Sequence, residues 1–259
     1  YIPSDKSISH RALIMGSLAI GKTSISRLLE SDDIFKTVNG LKALGVDIYK
    51  ESDKWCVHGV GVGGFCEPEN IIDCGNSGTS VRLLMGLVST CPIKVTFTGD
   101  DSLRKRPMDR VITPLSEFGA IFSSNHESKL PINVIGSSNP IPINYNLQIP
   151  SAQVKSAILL AGLNVRGKTT VLENEPTRDH TEKMLKFLGA KIQIKKKGSS
   201  NNISVNGFPK LNPGIISVPG DISSASFPIA LACMIPNSEL TIKRVGLNPL
   251  RDGFIETLI

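Results

Sequence analysis

Residues 5–28 read DKSISHRALIMGSLAIGKTSISRL, and their pattern returns three times: GNSGTSVRLLMGLVSTCPIKVTFT at 75–98, PSAQVKSAILLAGLNVRGKTTVLE at 150–173 and GDISSASFPIALACMIPNSELTIKRV at 220–245. Each copy opens with small polar residues, runs into a helical apolar pattern, turns and enters a strand. In the first copy Ile8, Ala12, Met15 and Ala19 fall on one helical face, and Thr23 to Leu28 alternates with strand period. A second half follows: DDIFKTVNGLKALGVDIY, MDRVITPLSEFGAIF and RDHTEKMLKFLGAKIQI each read as an amphipathic helix stopped at Gly45, Gly119 or Gly189, then a strand. Glycine suits that stop because it tolerates the left-handed backbone. WCVHGVG, LPINVIG and ISVNGF supply a last strand. The reading is an α/β chain of repeated βαβαββ units.

The repeat also predicts the organisation. Three units are complete, and the fourth, starting at about Pro219, is cut inside its second helix near LRDGFIETLI. That is the pattern of a fragment of a longer protein, or of one whose remainder lies outside this sequence. The chain opens at Tyr1 rather than Met, so residues are expected to be missing at the front.

The chain has 259 residues and a net charge of +6, which favours anionic partners. The basic residues are spread out. The one run, Lys195-Lys196-Lys197, precedes Gly-Ser-Ser-Asn-Asn and reads as a solvated hairpin tip. Without aromatic interleaving the charge does not point to nucleic acid. Cys56, Cys66, Cys74, Cys91 and Cys233 are odd in number and form no C-x-x-C, so they read as reduced thiols rather than a disulfide or zinc framework. No signal peptide and no membrane-length apolar run is present.

GSLAIGKT at 16–23 and GLNVRGKT at 162–169 match the phosphate-loop pattern. That loop needs the order strand, loop, helix, so that a helix N-terminus faces the phosphates. Here the order is helix, loop, strand, and turn chemistry explains both matches.

The starts of the first helices carry more information. The first offers Asp5, Lys6, Ser7 and Arg11. The second offers Asn76, Ser77, Gly78 and Thr79 with Arg82. The third offers Ser151, Ala152 and Gln153 with Lys155. Free N–H groups, a positive dipole end, hydroxyls and a cation together make an anion cradle. Taken singly, each start is better read as an ordinary capped helix. Three in register, brought to one surface by a pseudo-threefold axis, point to a shared phosphate or carboxylate site. Arg106 and Arg178 stand before the aligned Asp109 and Asp179, where helix-terminal salt bridging is the ordinary reading. His180 reads as a solvent-facing or capping residue.

DKSISHRAL, DCGNSGTSVRLL, GDDSLRKRPM, SAQVKSAILLAGL, EPTRDHTEKML and GDISSASF, in that order, resemble the 5-enolpyruvylshikimate-3-phosphate synthase family across essentially the whole chain. SAQ and RDHTE resemble its bacterial class II branch. Gly78 departs from that branch, which often has alanine there, so the branch's glyphosate tolerance is not carried over.

The resemblance implies the enolpyruvyl transferase fold: two domains of three βαβαββ units each, helices inside and sheets outside, with the site between them. Residues 1–218 would be one pseudo-threefold domain and 219–259 the start of the other. It implies addition of the 5-hydroxyl of shikimate 3-phosphate to C2 of phosphoenolpyruvate, proton delivery to C3, and loss of phosphate from a tetrahedral intermediate. No metal or organic cofactor is implied. Lys6 would contact both substrates, and Ser7 and Arg11 the shikimate portion. Ser151, Ala152, Gln153 and Arg178 would hold its phosphate. Gly78 and Arg106 would join Lys6 and Gln153 around phosphoenolpyruvate. Proton-moving carboxylates are expected beyond Ile259. The resemblance further implies a cytoplasmic monomer at full length, with no nucleic-acid or membrane partner. Two other readings compete: the sister transferase acting on UDP-N-acetylglucosamine, and a non-catalytic half that only binds phosphorylated metabolites. The sister's pattern lacks the DKSxSHRA run and usually carries a loop cysteine that the region near DDSLRKRPM lacks.

Overall fold

A computed structural model describes residues 1–125 and 127–258. The first repeat contains α1 (Lys6–Leu18), β1 (Ile20–Ser26), α2 (Asp32–Ala43), β2 (Asp47–Glu51) and β3 (Lys54–Val60). The second contains β4 (Ile72–Asp73), α3 (Gly78–Val88), β5 (Lys94–Thr98), the short α4 (Asp101–Arg104), α5 (Asp109–Glu117), β6 (Ile121–Ser124) and β7 (Ile132–Ile135). The third contains β8 (Asn144–Asn146), α6 (Ala152–Gly162), β9 (Lys168–Glu173), α7 (His180–Phe187), β10 (Ile192–Lys197) and β11 (Ser200–Asn206). The chain then passes through β12 (Ile215–Ser217), α8 (Ile222–Met234) and α9 (Gly253–Leu258). Ile259, the last residue of the sequence, lies outside the described residues.

Each of the first three repeats has a four-stranded sheet, in the orders β12-β1-β3-β2, β4-β5-β7-β6 and β8-β9-β11-β10. In each, the first pair is parallel and the rest antiparallel. The βαβαββ expectation therefore holds for the second and third units. In the first, the opening strand does not precede the helix: β12, from far along the chain, fills the slot, pairing Ser24 with Ile215 and Ser26 with Ser217. The residues before α1 are engaged elsewhere. Asp5 N–H donates to Pro219 O at 2.8 Å and Asp221 N–H to Pro3 O at 2.9 Å, so the two crossing segments tie to each other.

The helices α1, α3 and α6 form the interior. Every residue of α1 from Ser9 to Leu18 is buried, so the one-sided face expected for it is in fact a helix covered all round. Packing this tight needs small residues. A Cβ at Gly86 of α3 would lie 2.6 Å from Ala157 O of α6. The same economy recurs at the ends of β3, β7 and β11: Gly59, Gly136 and Gly207 stand at matching places, and a Cβ at each would overlap the carbonyl oxygen of Ala19, Cys91 or Val165. Gly45, Gly119 and Gly189 follow α2, α5 and α7 at φ of +91°, +96° and +103°, as the helix-stop reading requires.

Both phosphate-loop matches run from helix into strand: Gly16 lies in α1 before β1, and Gly162 ends α6 before β9. Lys195 to Lys197 end β10 at its turn into β11, on an exposed hairpin. The fourth repeat departs from expectation. Its helix forms as α8, but the strand expected at LTIKRV is reduced to a single bridge between Gly220 and Val245. A strand without a neighbour leaves its ladder groups unpaired, and the described residues offer it none. Accordingly, Phe227 and Met234 of α8 are each 79% exposed.

Candidate active site

Three helix starts meet at one end of the interior. Each has a capped first turn: Asp5 accepts from Ile8 N–H at 2.8 Å, Ser77 from Ser80 N–H at 3.1 Å and Ser151 from Val154 N–H at 3.4 Å. The capping and anion-cradle readings coexist, because a side-chain oxygen satisfies one donor and leaves others free.

Arg11 is buried in α1 and joins the first turn of its own helix to α6 and α7. Its Nε donates to Thr181 Oγ1 at 2.8 Å, its Nη2 to Ser156 Oγ at 2.8 Å and its Nη1 to Ser7 O at 3.1 Å. Ser156 in turn donates to Ala152 O at 2.5 Å. Arg11 thus links Ser7 to the α6 start without meeting a carboxylate. Burial, then the neighbouring Arg178, brings its guanidinium down to about 10.

A second group surrounds Gly78. A Cβ there would lie 2.7 Å from Arg82 Nη1 and 3.4 Å from Arg106 Nη1. Arg106 Nη2 donates to Asn76 Oδ1 at 2.7 Å, and Asn76 Nδ2 donates to Asp100 Oδ2 at 2.7 Å. Arg82 Nη1 donates to Gln153 Oε1 at 2.8 Å, while Gln153 Nε2 donates to Thr79 Oγ1 at 2.9 Å. The Gln153 amide is therefore oriented from both ends. Burial, then Arg106 and Arg110, holds Arg82 below the usual guanidinium value.

Among the described residues, Arg11, Arg82, Arg106 and Arg178 have no carboxylate within ion-pair distance. The salt bridges expected from Arg106 to Asp109 and from Arg178 to Asp179 do not form. Burial, then Arg251, lowers Arg178. Cations crowding cations, at helix starts with free donors, define a place that an anion would stabilise.

Lys6 differs, since its Nζ pairs with Asp33 Oδ2 at 2.9 Å on a half-exposed surface. With Asp33, Asp221 and Ser224 it lines an open cavity of about 490 Å³. Lys155 corrects the cradle reading. It turns inward, fully buried, to Glu173 Oε2 at 2.9 Å and Glu182 Oε1 at 2.7 Å. A buried ammonium needs such partners, and two carboxylates outcompete a solvent-facing site. His180 is likewise corrected: it is 9% exposed, and burial lowers it to about 4. The sequence reading gave no role to Asp33, Ser156, Thr181 or Arg251. Arg251 bridges Asp5 and Asp221, at 2.7 Å for the latter, where the two crossing segments meet. The regular placement of Asp33 and Thr181 in first helical turns was the available signal.

The family model for EPSP synthase (3-phosphoshikimate 1-carboxyvinyltransferase) matches residues 1–259. The chain is 51% identical over 259 residues to the 3-phosphoshikimate 1-carboxyvinyltransferase of Ruegeria sp. (strain TM1040), covering all of this chain and 58% of that protein. It is 49% identical over 258 residues to the enzyme of that name from Dinoroseobacter shibae, covering 99% of this chain and 57% of the relative. The structure of EPSP synthase from Acinetobacter baumannii superposes with a TM-score of 0.89 at 41% identity, over 98% of this chain and 57% of the other. Fold and site thus define a chain of the enolpyruvyl transferase architecture, mixed α/β with interior helices and outer sheets. It belongs to the EPSP synthase family. The chain spans less than three fifths of the length of these relatives.

Proposed function

We propose that this chain carries the larger share of a site that transfers the enolpyruvyl group of phosphoenolpyruvate to the 5-hydroxyl of shikimate 3-phosphate, releasing phosphate. The observation that carries the reading is the set of guanidiniums, Arg11, Arg82, Arg106 and Arg178, that have no carboxylate partner among the described residues. Two polyanionic substrates would supply the missing negative charge, and preorganised donors would stabilise the phosphate as it leaves. In this reading Ser7 and Arg11 hold the shikimate ring, and Ser151, Ala152, Gln153 and Arg178 its phosphate. Gly78 and Arg106 receive phosphoenolpyruvate, with Lys6 and Gln153 between the two ligands. The Arg11 contacts with Ser7, Ser156 and Thr181 support the first group, and the Arg82–Gln153–Thr79 contacts the second.

The proposal extends to organisation: residues 1–218 as one domain, 219–259 as the start of another, and a cytoplasmic monomer at full length. Proton-transfer carboxylates lie outside this sequence, and no cofactor takes part. Among the described residues no helix is long and apolar enough to cross a membrane. The relatives' names favour shikimate 3-phosphate over UDP-N-acetylglucosamine. The test is calorimetric titration of the chain with shikimate 3-phosphate, phosphoenolpyruvate and UDP-N-acetylglucosamine. Binding of the sugar nucleotide with none of shikimate 3-phosphate would sink the reading.

A further inference from the structure

A buried polar chain runs from α1 to the start of α3. His10 is wholly buried, and its Nδ1 lies 2.7 Å from Thr37 Oγ1 of α2. Thr37 Oγ1 lies 2.6 Å from Ser80 Oγ of α3. Ser80 Oγ donates to Ser77 Oγ at 2.6 Å, and Ser77 also caps the helix by accepting Ser80 N–H. Thr37 and Ser80 are fully buried and Ser77 nearly so.

Counting protons gives this chain a direction. Each hydroxyl owns one proton. The proton of Ser80 goes to Ser77 at 2.6 Å, with Asp33 O a longer second acceptor at 3.4 Å, so the short Thr37–Ser80 contact uses the proton of Thr37. Thr37 then has nothing left to donate, and its contact with His10 requires a proton on Nδ1. The opposite tautomer would leave two oxygens 2.6 Å apart with no proton between them. Among the described residues Nε2 has no hydrogen-bond partner, and burial lowers His10 to about 3, so the ring stays neutral.

We infer that His10, Thr37, Ser80 and Ser77 form a one-way hydrogen-bond relay that registers α1 against the start of α3, with His10 as a positioning residue in its Nδ1–H form. The relay ends at Ser77, between Asn76, which anchors Arg106, and Gly78. Its consequence for ligands rests on the function proposed above: the phosphoenolpyruvate side of the site takes its position from the helix that carries Lys6, Ser7 and Arg11.

The experiment uses the 259-residue chain labelled with ¹⁵N at histidine, with the His10 signal identified by its loss in His10→Asn. A long-range ¹H–¹⁵N spectrum is expected to show a pyrrole-type Nδ1 and a pyridine-type Nε2; the reverse overturns the relay. Amide exchange reads the positioning without any ligand. Thr37→Val is expected to speed exchange of the Ser80 N–H about tenfold, the equivalent of one buried hydrogen bond, and Thr37→Ser to restore it. Ser80→Ala repeats the test should Thr37→Val not fold. Unchanged exchange in a folded variant overturns the positioning role. Calorimetry then reads the ligand side: Thr37→Val should weaken phosphoenolpyruvate about tenfold and shikimate 3-phosphate less than about threefold. Equal weakening of both contradicts the assignment to the α3 side. If the unaltered chain binds neither ligand while spectrum and exchange behave as expected, the relay stands and the proposed function fails.

Discussion

Arg82 Nη1 and Gln153 Oε1, 2.8 Å apart, tie α3 to α6 beside Gly78. A methyl group at Gly78 would press first on that guanidinium, 2.7 Å away, before reaching any ligand. Gly78→Ala should therefore act through Arg82 and loosen the Gln153 amide. We expect an enzyme carrying it to lose affinity for glyphosate more than for phosphoenolpyruvate. Parallel inhibition and Michaelis constants measure this, and equal losses for both would contradict it.

Arg11→Ala removes a buried cation and takes one N–H donor each from Ser156 and Thr181, which keep their hydrogen bond to each other. Shikimate 3-phosphate should bind more weakly by about 2 kcal/mol or more, the scale of a hydrogen bond to a charged group. Arg11→Lys should recover only part, because a single ammonium cannot reproduce the fork. Calorimetry provides the comparison, and a full recovery by lysine would argue for simple charge.

Lys155→Met strands Glu173 and Glu182 in the interior with no cation between them. Breaking a buried pair from one side costs about 3–5 kcal/mol. Burial already raises Glu182, so protonation is its escape. Adding Glu182→Gln to Lys155→Met should return part of the lost urea stability. A single variant as stable as the parent would show that the pair is relaxed by water.

The buried His180 gives stability a pH dependence. Its value falls from 6.5 in the unfolded chain to about 4 in the fold, so the unfolded state takes up the proton first. The His180 contribution should fall as pH drops below about 6.5, with a slope approaching about 1.4 kcal/mol per pH unit, and level off below its folded value, while His10, lowered to about 3, adds a slope of its own that continues to lower pH. His180→Gln should flatten that slope by up to this amount. Urea melts at pH 7.5, 6 and 5 would show it.

Residues 1–259 alone should release no measurable phosphate from the two substrates. The chain spans 58% of its relative from Ruegeria, and α8 presents a bare apolar face. General acid–base groups contribute about 10²–10⁴-fold each, and closure of a site contributes orientation as well. Turnover near that of a whole enzyme would place every catalytic group within this sequence.

Much of this architecture was legible because its signals are local. The stops at Gly45, Gly119 and Gly189 and the capped starts at Ser77 and Ser151 depend on backbone conformation within one turn. What escaped depends on distant partners. The three residues of β12 carry no mark of β1, and Lys155 resembles a site cation until Glu173 and Glu182 come near. Asp33 and Thr181 looked like ordinary first-turn residues because their partners, Lys6 and Arg11, belong to another helix. In the opposite sense, residues 240–245 have a strand's composition but no neighbour to complete it.

The slot filled by β12 has a consequence for how the molecule is made. Pairing Ser24 with Ile215 closes the first sheet with a segment that leaves the ribosome after every other strand of the described residues. At about 5–20 residues per second, roughly 190 intervening residues delay that closure by about 10–40 s. Throughout that interval β1 presents an open edge, while the second and then the third sheet gain all their strands. The earliest made of these three repeats is thus the last of them to be sealed, and its exposed edge is where nascent chains would cross-pair or call on a chaperone.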